Sequence, residues 1–261
     1  ELKFRWDEPA GREEFDRALA LISRAEKHPS GRLSGLIYPA QIDTCSEELL
    51  RDSIDAAKAT GRPLTTHAAQ SVVEFNVMVQ RHGKTPVQWA ADIGLLGPES
   101  ILGHAIFIDE HSWLHWATRD DLNLLAETGT SVAHCPTPFA RYGAMLEDLG
   151  RYLRAGVRVG IGTDVSPHNL LEEMRWAAIL ARIAAEDISA VSTADVDLLS
   201  PTAREDDVFA IVDDAVEGRT GPALLRLRRL FEGGAEHPAR IQALIARQLR
   251  NLVRAAELLD Q

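Results

Sequence analysis

The sequence predicts an α/β protein built on a parallel sheet and followed by an all-helical C-terminal segment. Three observations predict it. Short apolar runs alternate with segments of helical spacing through residues 1–196. Three of those runs lead into residues suited to chemistry, His67, His104 and Asp164. From about Ala194 onward no strand pattern recurs, and only amphipathic helical spacing is found. Functional groups in α/β folds gather at the carboxyl ends of strands. Two histidines and an aspartate at three such ends therefore form a candidate metal or acid–base cluster.

In chain order, residues 13–27 carry Phe15, Leu19, Ala20, Ile22 and Ala25 at helical spacing, with Gly31 as a stop. Residues 33–38 read as a short strand ended by Pro39. Ser46 caps a helix over 47–60 that Gly61 stops. A strand over 64–67 enters His67, and helices follow at 72–82 and 87–94. A strand over 100–104 ends in His104 and leads to an aromatic loop, His111-Ser112-Trp113-Leu114-His115-Trp116, and a helix over 119–128. A strand over 130–134 ends in His134. The loop Cys135-Pro136-Thr137-Pro138 then leads to a helix over 146–155. A strand over 157–162 leads into Asp164, and residues 169–185 form a long helix. His168, in the loop after Asp164, is assigned to capping or solvent. A closed (β/α)8 barrel needs eight strands. The five predicted here leave two architectures, an open sheet or the later part of a barrel. Ser200-Pro201-Thr202 marks a break, which sets the expected domains at 1–196 and 197–261, the second holding helices over 204–217, 223–231 and from Pro238 to Leu259.

Composition narrows the function classes. The chain has 261 residues, 45% of them hydrophobic and 26% charged, ordinary values for a globular protein. A net charge of -11 argues against electrostatic binding to nucleic acid or to an anionic membrane surface. No apolar run approaches a membrane span and no signal peptide pattern is present. Cys45 and Cys135 form no spacing motif, so both are expected as small buried hydrophobes in a cytoplasmic setting. Trp113 and Trp116 are expected to pack. The first residue is Glu1, and a fragment or processed product is the expectation.

Four stretches taken together resemble the amidohydrolase superfamily, in the branch of cytosine, guanine and thioadenosine deaminases and triazine chlorohydrolases. They are Thr66-His67-Ala68-Ala69, Gly103-His104-Ala105, Val132-Ala133-His134-Cys135-Pro136-Thr137 and Gly160-Ile161-Gly162-Thr163-Asp164. The resemblance implies a partial (β/α)8 TIM-type barrel, its later five strands, with a divalent metal, zinc by preference. It implies that His67, His104 and Asp164 bind the metal, and that His104 and Asp164 are catalytic. Gln70 and His134 would line the substrate pocket, and the substrate would be a heterocyclic small molecule. Two departures stand out. The family's first-strand His-x-His is not found in this sequence; His111 and His115 are misplaced for it. Gln70 stands where related deaminases carry a glutamate that shuttles a proton.

The tail resembles something else. Asp206-Asp207-Val208-Phe209-Ala210, Val216-Glu217-Gly218-Arg219 and Ala246-Arg247-Gln248-Leu249-Arg250 resemble a helical segment of the delta subunit of the bacterial clamp loader. A fusion or a joining of two reading frames is one expectation, and the competing function is a non-catalytic interaction protein with a degenerate barrel. Five parallel strands leave two unpaired edges, so a homo-oligomer is expected.

Overall fold

Strands β1 (Leu64–Ala68), β2 (Ser100–His104), β3 (Ser131–His134) and β4 (Arg158–Ile161) lie side by side in chain order in one sheet. All three pairings are parallel, with His67 opposite Gly103, Ala68 opposite His104, and His134 opposite Ile161. Parallel neighbours need a crossover between them. Helices α1 (Glu8–Glu26) and α2 (Glu47–Thr60) precede β1. The crossovers are α3 (Val72–His82) with α4 (Pro86–Asp92), then α5 (Asp121–Thr128), then α6 (Pro136–Ala140) with α7 (Leu149–Arg154), and α8 (Leu170–Ala185) follows β4. This computed structural model describes residues 5–166, 168–191, 211, 214–215, 217–224 and 226. The chain divides into two compact units, Glu1–Val196 and Asp197–Gln261.

Local signals explain most boundaries. Ser46 and Ser71 accept the N–H groups of Leu49 and Glu74 at the starts of α2 and α3. Gly61 and Gly83 close those helices in the left-handed conformation, at φ 64° and 69°. α1 starts at Glu8, ahead of the predicted residue 13, because Asp7 caps it and Pro9 sits in its first turn. α6 was expected as loop; Pro136 instead opens a short helix. α7 starts only at Leu149, where Asp148 accepts the Arg151 N–H.

The fifth strand predicted over 33–38 is corrected. Ile37 and Gln41 make only isolated parallel bridges, to Leu64 and His67. The Ile37 N–H donates to Pro63 at 2.9 Å and the His67 N–H to Ala40 at 3.1 Å, so the segment runs along the β1 edge without becoming a regular strand. Pro39 brings no N–H to that ladder.

Strand alternation puts Leu64, Thr66 and Ala68 of β1 and Leu102 of β2 on the buried side. The core under them includes Leu50, Phe75, Met78, Leu102, Leu125 and Tyr152, each below 2% exposure. The opposite side carries Thr65, His67, Ile101 and Gly103, which are only half-buried.

In the second unit the Asp214 carboxylate accepts from Arg219 Nε at 2.8 Å and Arg226 Nε at 3.0 Å. The Arg219 bond holds the Asp214 carboxyl below the usual carboxylate range, against a smaller burial effect. Most of the predicted tail helices, and most of the stretch resembling the clamp-loader subunit, lie outside the described residues. Among the described residues no helix is long and apolar enough to cross a membrane.

Candidate metal centre at the strand ends

His67 points from the end of β1 with its Nδ1 2.7 Å from the Ala40 carbonyl oxygen and 3.2 Å from the Tyr38 hydroxyl. A carbonyl oxygen only accepts, so Nδ1–H is the donor to Ala40 and Nε2 is the ring nitrogen left to face a metal.

His104 ends β2 one register position beyond His67. Period-two alternation alone would send the two rings to opposite faces of the sheet. A φ of 83° at His104 breaks the alternation. The two rings instead stack, with centroids 5.2 Å apart and planes within 16°. His104 is 3% exposed, and its Nδ1 is buried without a hydrogen-bond partner. Burial pushes its pKa down to about 4, with the Asp164 charge opposing and His67 adding. The ring is therefore neutral near pH 7, with an uncommitted nitrogen. Phe139 closes on it edge-on at 4.5 Å.

Asp164 lies in the loop after β4 with φ 55° and an exposed side chain. One ligand atom each from His67, His104 and Asp164 falls within 4.8 Å of the others. Two imidazoles and a carboxylate are borderline-to-hard donors of the kind a catalytic zinc takes, three in number. The orphaned His104 nitrogen and the carbonyl-anchored His67 ring fit that use as well. The three predicted ligands are thus brought together.

The predicted pocket residues are placed differently. His134 ends β3, is 3% exposed, and has its Nδ1 buried without a partner. Burial, with His104 adding, pushes its pKa down to about 3. It lies outside the three-residue cluster. Gln70 is half-buried in the loop leaving β1, and its N–H donates to Glu74 at 2.9 Å.

Two residues at this site went unread in the sequence. Glu74 is 2% exposed and accepts from the N–H of Ala69 at 2.6 Å as well as from Gln70. Burial pushes its carboxyl up to about 7, although both N–H groups pull it down and Asp43 adds a small rise. The Ser71-x-x-Glu74 spacing was its only sequence signal. Tyr38 stands edge-on to His67, with ring centroids 5.7 Å apart. Burial, then the Asp164 charge, then that of Cys45, raises its phenol pKa. No sequence pattern marked it.

The remaining histidines and cysteines lie outside the cluster. Buried His111 sits 3.2 Å from the Met145 carbonyl and packs on Phe107. His115 is exposed in the same loop. His168 pairs with the Thr163 hydroxyl at 2.9 Å, while Asn169 caps α8. Cys135 is buried as expected and Cys45 is half-buried. Trp116 packs edge-on against Phe75, and Trp113, although 53% exposed, lies edge-on to His111 with ring centroids 5.4 Å apart and 5.8 Å from the Phe107 ring.

Residues 8–200 match the Amidohydrolase family. A 5-methylthioadenosine/S-adenosylhomocysteine deaminase of Haloarcula marismortui is 32% identical over 194 residues, covering 73% of this chain and 43% of the relative. The structure is similar to a zinc-bound adenosine deaminase of Xanthomonas campestris, with a TM-score of 0.61 at 25% identity over 71% of this chain and 40% of that one. It also shares its fold with a variant atrazine chlorohydrolase of Arthrobacter aurescens complexed with zinc and atraton, with a TM-score of 0.62 at 23% identity over 72% and 41% of the two chains. The chain thus spans less than half the length of these proteins.

Proposed function

The chain belongs to the amidohydrolase family, and from that premise we propose that it is a metal-dependent hydrolase that uses water to break a carbon–nitrogen bond on a heterocyclic small molecule. The observation that carries the reading is the convergence of His67, His104 and Asp164, from three strand ends, to within 4.8 Å. These three would hold a divalent ion, zinc by the character of the donors, and such an ion would lower the pKa of its bound water toward neutrality.

Each protein group then has a defined task. The Asp164 carboxylate accepts the proton that water loses on attacking the ring carbon, and returns it to the departing amine as ammonia forms. His104, neutral near pH 7, offers a lone pair for ligation, or a ring N–H that polarises the heterocycle. His67 is held in its ligating tautomer by Ala40. His134 and Gln70 border the substrate. The Gln70 amide can hydrogen-bond a ring atom but cannot carry a proton. That property favours a second reading of the same site: displacement of chloride, which departs without being protonated.

The test is release of ammonia from an aminopurine nucleoside and of chloride from a chlorotriazine by the zinc-supplemented chain. Product above the uncatalysed control, abolished in Asp164→Ala, is the expected result. Absence of both products, or equal turnover by Asp164→Ala, contradicts the reading.

A further inference from the structure

Glu74 is a buried ionisable group, bonded to the turn after His67, that the proposed chemistry leaves without a task. A carboxylate at 2% exposure is expensive to bury unless its oxygens are satisfied. Ser71 and Glu74 have the Ser-x-x-Glu spacing of a capping box, and the Ser71 hydroxyl accepts the Glu74 N–H at 3.0 Å. In an ordinary capping box the glutamate reaches back to the N–H of the capping residue itself. Here it reaches past Ser71. Oε1 takes the Ala69 N–H at 2.6 Å and Oε2 takes the Gln70 N–H at 2.9 Å.

Those amides belong to the turn that leaves the His67 strand, and the same turn holds the chain that leaves His104. The Ala68 carbonyl accepts the Ala105 N–H at 3.1 Å, and the Ala69 carbonyl accepts those of Ile106 and Phe107 at 2.9 and 2.8 Å. Ala69, His104 and Ala105 have φ values of 53°, 83° and 43°. Residues other than glycine persist in that region only where the surroundings over-determine them. On one side the surroundings are the Tyr152 hydroxyl, which donates to the Ala105 carbonyl at 2.8 Å. On the other side they are the Glu74 carboxylate.

We propose that Glu74 is a positioning residue for the His67–His104 pair, acting through the turn at Ala68, Ala69 and Gln70. Its two bonds fix the amides of the turn, and the carbonyls of the turn fix the backbone from which His104 projects. The relative placement of the two rings, 5.2 Å apart, follows from that clamp. The proposal rests on the metal-site reading for its function, although the clamp itself needs no metal.

The test compares the wild-type chain with Glu74→Gln, which turns one acceptor into a donor, and Glu74→Asp, which keeps the charge on a shorter arm. Asp121→Asn is the control, since it removes a different buried carboxylate. Cobalt(II) titration followed by visible absorption reads the metal site, and melting of the metal-free chains confirms that each variant is folded. The expected result is cobalt(II) affinity lower by about tenfold or more in both Glu74 variants and unchanged in Asp121→Asn. Wild-type affinity in a folded Glu74 variant overturns the proposal, and so does an equal loss in the control. If the wild-type chain takes up no cobalt(II), the metal reading fails, and the ring resonances of His67 and His104 in the metal-free chains decide the matter separately. A shift of both in Glu74→Asp supports the clamp, and unchanged resonances overturn it.

Discussion

The two halves of the candidate site are built in different ways. The His67 and His104 half, with His104 buried and His67 half-buried, is tied repeatedly to the backbone: His67 to Ala40, the Ala69 turn to Glu74, and Ala105 to Tyr152. The Asp164 half projects an exposed carboxylate from a loop whose anchors are the Gly162 N–H on the His134 carbonyl, the Val165 N–H on the Thr163 carbonyl and the Thr163–His168 side-chain pair. The difference matches the two tasks. Histidines that orient a metal gain from rings locked before binding. A carboxylate that must take a proton from water and give it up again gains from access to solvent and substrate.

Two glycines, one in each half, probe this contrast. A Cβ at Gly103 would lie 3.2 Å from His67 Cδ2 and 3.6 Å from its Cα. A Cβ at Gly162 would lie 3.1 Å from Cys135 Sγ. Gly103→Ala therefore presses directly on the ring of the proposed ligand His67 and is expected to weaken zinc binding by about tenfold or more. Competition with a chromophoric chelator measures it, and unchanged affinity would show that the His67 ring is not locked. Gly162→Ala presses on a buried thiol beside the looser half. It is expected to cost about 1–3 kcal/mol of stability by overpacking, with zinc affinity changed by less than the Gly103 substitution changes it. A larger loss of affinity in Gly162→Ala would invert the comparison.

The sequence showed the scaffold more plainly than the site. The helix start at Ser46 and the stop at Gly61 were legible because caps and left-handed glycines are local chemistry, whereas the helix over 72–82 was read from its apolar residues and its Ser71 cap and Gly83 stop were not. The strand ends at His67 and His104 and the approach to Asp164 were legible because short apolar runs stop there. What periodicity cannot reveal is the sign of φ. The turn at His104 that brings its ring onto His67 reverses what alternation predicts, and no residue type announced it. Glu74 was hidden because its partners are backbone amides upstream rather than the helix it starts. The edge segment through Ile37 and Gln41 was read as a strand because its apolar residues fit one. Its proline, though noted, was taken as a terminator rather than as an interruption between two bridges. The helix at Pro136–Ala140 was missed because prolines were read as loop, whereas proline suits a first helical turn.

A smaller effect tests the buried charge away from the proposed metal ligands. Asp121 is fully buried, accepting from the Thr85 hydroxyl at 2.6 Å and the Asp109 N–H at 2.8 Å. Burial raises its carboxyl from 3.8 to about 7; the Thr85 bond opposes this and the Asp109 charge adds to it. An acid whose native pKa lies above its unfolded value binds more protons in the native state within that window. Its contribution to stability is present below about pH 4 and lost as the pH rises through about 7. The slope for one such group is at most about 1.4 kcal/mol per pH unit. Asp121→Asn removes that slope, so the variant should gain on the wild-type chain as pH rises from about 4 to about 7. Urea unfolding across that range is the measurement, and parallel stability curves would contradict it.

The central claim is that His67, His104 and Asp164 hold a divalent metal. The direct measurement is the metal content of the purified chain by elemental mass spectrometry after exposure to zinc and desalting, beside His67→Ala treated identically. About one equivalent per chain in the former, lost in the latter, is the predicted result. No retained zinc in the wild-type chain, or equal retention by His67→Ala, would contradict the account.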